Sequence, residues 1–255
     1  MSAFSNLDAS SNATGLLGYL DDTDVSLSAM KAYIAATAHR YVPGELVLDV
    51  GCGVGHDLVR LASAGLTPVG VDSSAKALAR ARRGGCAVVR GDAARLPFIT
   101  GAFAGSRIER VLQHVADPCA VLDEVIRVTR PGGFVAIFEP DYTTFRVTSE
   151  LVPDGSLPFR FVAVRHPAIG SEVVDLLRTR GCTIDDIVTE QSFAYRLDDL
   201  PLDSARLTQR GIDAGALRPE LRDAWLQEQR RRTDDGSFHA TWSKRLTIVR
   251  LGSRC

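Results

Sequence analysis

The feature that most constrains this chain is a strand-and-helix alternation that begins at residue 45. ELVLDVG (45–51) reads as a buried strand and DLVRLASAG (57–65) as a helix stopped by Gly65. TPVGVD (67–72) is a second strand, SSAKALARARRG (73–84) a helix opened by a serine and closed by Gly84, and CAVVRGD (86–92) a third strand. Short apolar runs alternating with amphipathic helices give right-handed βαβ units and a parallel sheet. The rhythm continues with 104–115 as a strand running into a loop, 118–133 as a helix ending in Pro-Gly-Gly, and FVAIFEP (134–140) as a fifth strand. A helix at 171–181, a sixth strand from 183, a charged helical insertion at 198–235 and a closing strand near 238–251 complete the pattern. Residues 1–15 lack periodicity, 16–41 read as one or two helices, and Pro43-Gly44 separates this segment from the first strand. The expected organisation is an N-terminal helical segment or lid over 1–41, followed by one α/β domain over 42–255.

Composition narrows the function classes. With 255 residues, 45% of them hydrophobic, the chain can bury a large core, and a net charge of −1 supplies no basic field for nucleic acid. The five cysteines, Cys52, Cys86, Cys119, Cys182 and Cys255, are scattered and never form CxxC, which argues against a disulfide framework or a zinc site and for a reducing, cytoplasmic setting. The start MSAFSNLDASSNATG has neither a basic nor an apolar leader segment, and no run approaches a membrane span.

In an open α/β sheet, ligands lie beyond the carboxyl ends of the strands, so Asp49 to His56, Asp72, Asp92, Arg110 to His114 and Glu139 to Tyr142 should share one rim. The loop VLDVGCGVGHD places Gly51, Gly53 and Gly55 as GxGxG, with His56 where a dinucleotide loop has other spacing. Alone it could be a tight turn. Asp72 follows about 20 residues on, where a carboxylate can accept ribose hydroxyls or compete with Ser73 as a helix cap. Asp92, in GDAARLPF, could accept from an exocyclic amine or simply make a turn. No lysine follows the loop as a phosphate-binding site would need, so the constellation suits an adenosine without phosphates.

VLDVGCGVG, Asp72, GDAARLPF, RVLQHVADP and the RPGG before a strand resemble the class I S-adenosylmethionine-dependent methyltransferases. Within them, the similarity is to the ubiquinone/menaquinone-type and natural-product small-molecule subgroup, and it is close over about 40–145. The resemblance implies a Rossmann-like seven-stranded sheet, order 3-2-1-4-5-7-6, with strand 7 antiparallel and the helical insertion between strands 6 and 7. It also implies S-adenosyl-L-methionine as cofactor. Asp49 matches the acid near the cofactor's amino group, and Gly51, Cys52 and Gly53 match the backbone under its methionine part. Asp72, with Ser73 beside it, matches the ribose acid. Asp92 and Ala93 match the adenine side, and Arg110 to Leu112 the segment near the sulfonium. The family's Phe-Asp at the start of strand 4 is replaced here by Phe103-Ala104.

Methyl transfer from a sulfonium needs an acceptor placed in line and, for a hydroxyl or ammonium, a route for its proton. His114 matches a histidine after strand 4 in such enzymes and is the candidate base; it could equally pack under the loop. Asp141 and Glu139 end strand 5, where either could orient His114 or bind a cationic acceptor, and Asp141 could instead serve its own turn. Tyr142, Arg165 and His166 are candidate acceptor contacts, while Tyr19 and Met30 could form a lid or pack in the core. His56 reads as a helix residue, and no metal cluster is expected. The expected activity is methyl transfer to oxygen, nitrogen or carbon of a small molecule, in secondary or quinone metabolism, by a monomer or homodimer without nucleic-acid or membrane partners. A catalytically silent cofactor-binding relative is the alternative reading, and a nicotinamide dehydrogenase is disfavoured by the missing third glycine of GxGxxG.

Overall fold

The computed structural model describes residue 8 and residues 28–151, 156–158, 164–200, 204–213 and 215–252. Helix α1 (Ser28–Tyr41) precedes strand β1 (Leu46–Val50), and the alternation then runs α2 (His56–Ser63), β2 (Thr67–Asp72), α3 (Ala75–Arg83), β3 (Val88–Arg90) and β4 (Phe103–Glu109). Next come α4 (Pro118–Val128), β5 (Thr129–Thr148), β6 (Ser156–Pro158), α5 (Ile169–Arg178) and β7 (Thr183–Ala194). The insertion supplies α6 (Ser204–Asp213) and α7 (Arg222–Asp234) before β8 (Ala240–Arg250) closes the sheet.

The sheet order is β3-β2-β1-β4-β5-β8-β7, with β8 antiparallel to both neighbours. Numbered without the short β6, this is the expected 3-2-1-4-5-7-6 arrangement. The eighth strand was not foreseen: β6 adds to the far end of β5 through Arg146↔Pro158 and Thr148↔Ser156. The expected helix over 118–133 also ends early, at Val128, because Thr129 already pairs with Phe103 of β4 and the Arg130-Pro-Gly-Gly stretch lies along the sheet. β5 is correspondingly long, and its pairing with β8 slips between Asp141 and Arg146. Of the N-terminal segment the structure describes Asp8 and helix α1, whereas 1–7 and 9–27, including Tyr19, lie outside the described residues.

Strand alternation sends successive side chains to opposite faces. On one face Leu48, Ile108, Val135, Ile137 and Val249 pack with Val121, Leu122 and Val125 of α4 and Val173 and Leu177 of α5. On the other, Val47, Ala136, Phe138, Leu246 and Ile248 meet Met30, Ile34 and Ala38 of α1 and Leu61 of α2. Met30 is therefore a core residue. A separate cluster joins the extension of β5 (Phe145, Val147) and the start of β8 (Ala240, Trp242) to Trp225 of α7, Leu217 and Phe238. Among the described residues, no helix is long and apolar enough to cross a membrane.

Gly105, in mid β4, shows how tightly the layers meet: a Cβ there would lie 1.9 Å from Cε1 of Phe134. Gly105→Ala is expected to destabilise the fold by about 1–3 kcal/mol through overpacking, measured by urea denaturation; an unchanged midpoint would show that Phe134 can move aside.

Candidate active site

The glycine loop turns sharply at the end of β1 because Gly51, Gly53 and Gly55 have φ of 74°, 53° and 90°, which side chains rarely tolerate. Gly51 has a second reason to lack a side chain, since a Cβ there would lie 2.3 Å from Val111 Cγ2 in the loop after β4. The two loops therefore meet. Cys52 turns its side chain into the core with Leu58 and Leu78, and burial pushes its thiol far up, so only its backbone faces any site chemistry.

Asp72 braces this loop. Its Oδ2 accepts from Gly53 N–H at 2.9 Å and its Oδ1 from Ser74 N–H at 2.8 Å, while burial raises its pKa against those bonds. Each oxygen keeps a second acceptor direction. The helix cap is Ser74, whose hydroxyl accepts from Ala77 N–H, and not Ser73, which is exposed beside it. Asp8 sits on the same helix start, accepting from Ser74 Oγ at 2.7 Å and Ala75 N–H at 2.8 Å, so part of the N-terminal segment reaches the Asp72 edge. Asp92 is exposed and uses Oδ1 to accept from Ala94 N–H, closing its own turn with Ala93 half-buried next to it.

Asp49 is buried and lies directly across the sheet from Arg107 of β4, whose guanidinium donates to its Oδ1 at 3.0 Å. Arg107 also pairs with Asp57 of α2 at 3.1 Å and with Glu109. Lys31 of α1 bridges Asp57 at 2.6 Å and Glu109 at 2.9 Å, and Arg110 reaches Glu109 at 3.4 Å. Arg60 reaches Asp57 as well, at 3.2 Å, so four cations and three carboxylates share one network. Burial pushes Asp49 up to about 7 despite Arg107, whereas Arg107 and Lys31 hold Asp57 far below the usual range against the cost of its burial. Asp49 Oδ2 is buried without a hydrogen-bond partner among the described residues. Arg107, Asp57 and Lys31 were not singled out from the sequence. The available signal was a charged pair, Arg107 and Glu109, on one face of a strand otherwise apolar.

The loop after β4 begins with Arg110, whose φ of 55° is the one positive value outside glycine among the described residues. Such strain persists where the surroundings overdetermine it. Here Arg110 N–H donates to Phe138 O, and fully buried Glu139 accepts from Val111 and Leu112 N–H, both at 2.7 Å. Burial pushes Glu139 up to about 8 against those bonds. Gln113 O in turn accepts from the N–H groups of Arg165 (2.8 Å) and His166 (3.3 Å), so the segment carrying these two residues is tied to the His114 loop. Tyr142 N–H donates to Pro167 O, and its side chain joins the cluster beneath the insertion. Asp141 accepts from both the N–H and the hydroxyl of Thr143, so it closes its own turn. His56 opens α2, and no group of metal-binding side chains occurs among the described residues.

Strand order and the loops at the carboxyl ends together define a class I methyltransferase fold. Residues 48–137 match the family described as a methyltransferase domain. It is 34% identical over 227 residues to a 37.1 kDa protein of transposon Tn4556 from Streptomyces fradiae, covering 82% of this chain and 65% of that one. It is 42% identical over 99 residues to the demethylmenaquinone methyltransferase of Beutenbergia cavernae, covering 38% and 41%. The chain therefore spans less than two thirds of these relatives. Among solved structures, geranyl diphosphate C-methyltransferase from Streptomyces coelicolor has a TM-score of 0.54 at 16% identity, covering 97% of this chain and 87% of that one. The [4+2]-cyclase SpnF gives 0.54 at 20%, covering 87% and 80%. Both show the fold alone.

S-adenosyl-L-methionine is the cofactor of this class. The donor set fits it: Asp49 Oδ2 is a buried carboxylate oxygen in want of a donor such as an ammonium, Asp72 retains acceptor directions for ribose hydroxyls, and the glycine loop offers bare backbone between them.

Burial, with Arg110 nearby, pushes His114 down to about 4. The unfolded chain takes this proton near 6.5, so between 6.5 and 4 it binds more protons than the native state and stability falls as pH drops through that window. An imidazole C2–H resonance of His114 with its NMR midpoint near 4, and a shallower acid loss of stability in His114→Gln, are the expected results. A midpoint near 6.5 would place the ring in water.

Proposed function

We propose that this protein transfers the methyl group of S-adenosyl-L-methionine to a small molecule. The observation that carries this reading is the buried, unpartnered Oδ2 of Asp49 beside a glycine loop braced by Asp72, a donor-seeking oxygen next to a ribose-competent carboxylate.

When bound, the cofactor supplies an electrophilic methyl group on a sulfonium. Asp49, with the Gly51–Gly53 backbone, would hold its amino acid end, Asp72 its ribose, and Asp92 with Ala93 the adenine side. Ser73 lies exposed beside Asp72, and Arg110 would border the methionine part. The strained Arg110 and the Glu139 clamp fix the loop from which His114 projects, which supports precise placement of an acceptor. His114, neutral across the physiological range, can take a proton from a hydroxyl only as that proton becomes acidic in the transition state. Its role is therefore orientation joined to proton removal, with Asp141 securing the turn that follows the parallel part of β5. The partial similarity to demethylmenaquinone methyltransferases supports a cyclic, quinone-like acceptor in quinone or secondary metabolism; the proposed enzyme is a cytoplasmic monomer or homodimer.

A silent cofactor-binding protein is the second reading, favoured by the resemblance in fold to a cyclase. Calorimetry with S-adenosylhomocysteine and with NAD separates these from a dehydrogenase: binding of the first and not the second is expected, and weaker binding by Asp72→Ala. Labelled cofactor with lysate metabolites should then yield a methylated product, and His114→Ala should slow its formation by about 10²-fold or more. Binding without any transfer would sink the catalytic reading, and full turnover in His114→Ala would leave positioning as the sole contribution.

A further inference from the structure

Charge at the acceptor side of the rim is distributed unevenly. Most carboxylate oxygens there already have partners: Glu109 is held by Arg107 and Lys31, Oε1 of Glu139 by two backbone N–H groups on the opposite sheet face, and Asp141 by Thr143, while Oε2 of Glu139 is buried without one among the described residues. A cation differs. Lys244 of β8 pairs in register with Pro140, between Glu139 and Asp141 at the end of the parallel sheet, and so reaches the level of the rim. It shares its face of β8 with Leu246 and Ile248, which pack against α1, and therefore the face that carries Asp49, Arg107 and Glu109.

The half-buried Lys244 has no carboxylate within 4.0 Å among the described residues, and its Nζ lies 5.6 Å from the centroid of the Trp242 ring. Glu190, its cross-strand neighbour on β7, provides attraction from a distance, Arg110 repulsion, and Glu109 attraction again. Burial outweighs these and pushes the ammonium down to about 8, the mark of a cation short of compensating charge.

We propose that the methyl acceptor is an acidic oxygen, a phenol or enol, which Lys244 binds as its oxyanion while the ring lies beside Trp242. This rests on the methyltransferase reading above and names its substrate class. An acceptor ionised in this way has already given its proton to solvent, so for it the part left to His114 is orientation, and the oxyanion carries the electron pair. The oxygen–carbon bond then forms as the sulfur–carbon bond breaks, leaving a neutral thioether and a methyl ether. Lys244, with no carboxylate within 4.0 Å among the described residues, repels an ammonium acceptor, so the same arrangement that favours oxyanions disfavours amines.

The test uses the full chain loaded with S-adenosylhomocysteine and titrated with two probes of similar ring size. One is 2-hydroxy-1,4-naphthoquinone, an acidic enol that is an anion at neutral pH, and the other is 1-naphthylmethylamine, a cation. The expected result is preferential binding of the anion, weakened about tenfold or more in Lys244→Met and retained in Lys244→Arg. Affinity for S-adenosylhomocysteine should be unchanged in both variants, which shows that they fold. Equal anion binding in Lys244→Met, preference for the amine, or no anion binding by a protein that still binds S-adenosylhomocysteine would each overturn the proposal. Failure to bind S-adenosylhomocysteine would instead remove the methyltransferase reading on which it stands.

Discussion

The pairing of Asp49 with Arg107 is the constraint from which the rest of the site follows. Two charges in adjacent parallel strands, both nearly inaccessible to water, pay a large desolvation cost that only close geometry and further partners can offset. Asp57, Glu109 and Lys31 supply those partners, and each belongs to a different element. The network therefore joins α1, β1, α2 and β4 at the one end of the sheet where the glycine loop turns. It leaves one oxygen of Asp49 unanswered, so the fold is built around a local deficit that a positively charged ligand group can fill.

A second brace works on the opposite face. Glu139 accepts two backbone N–H groups of the loop after β4, Arg110 is held in a left-handed conformation, and Gln113 O anchors the segment carrying Arg165 and His166. Val111 from this loop fills the space that Gly51 leaves open. The glycine loop and the loop after β4 thus share a single wall, a few residues long, and burial there keeps His114 neutral.

Much of the fold was legible because periodicity survives in a single sequence. The apolar runs 45–51 and 67–72 led to β1 and β2, and the order with its antiparallel last strand followed from the resemblance carried by VLDVGCGVG and GDAARLPF. The early end of α4 was not legible, since RPGG is a sound helix stop and only the pairing of Thr129 with Phe103 ends the helix sooner. β6 escaped because three residues carry no period. At the site, Asp49, Asp72 and His114 stood out by their place after strands, whereas Lys31 did not: its meaning depends on Asp57 and Glu109, which lie 26 and 78 residues away. Ser73 and Ser74 could not be told apart as caps by spacing alone.

The cluster around Trp225, Phe145 and Trp242 is packed separately from the two faces of the sheet. That separation divides the molecule into regions that can change at different rates. Substitutions in the insertion can reshape what lies against β5 and β8 without disturbing the ion network or the glycine loop, whose residues come from other elements. A chain organised this way can vary its late, helical third while inheriting the end of the sheet that carries the glycine loop intact.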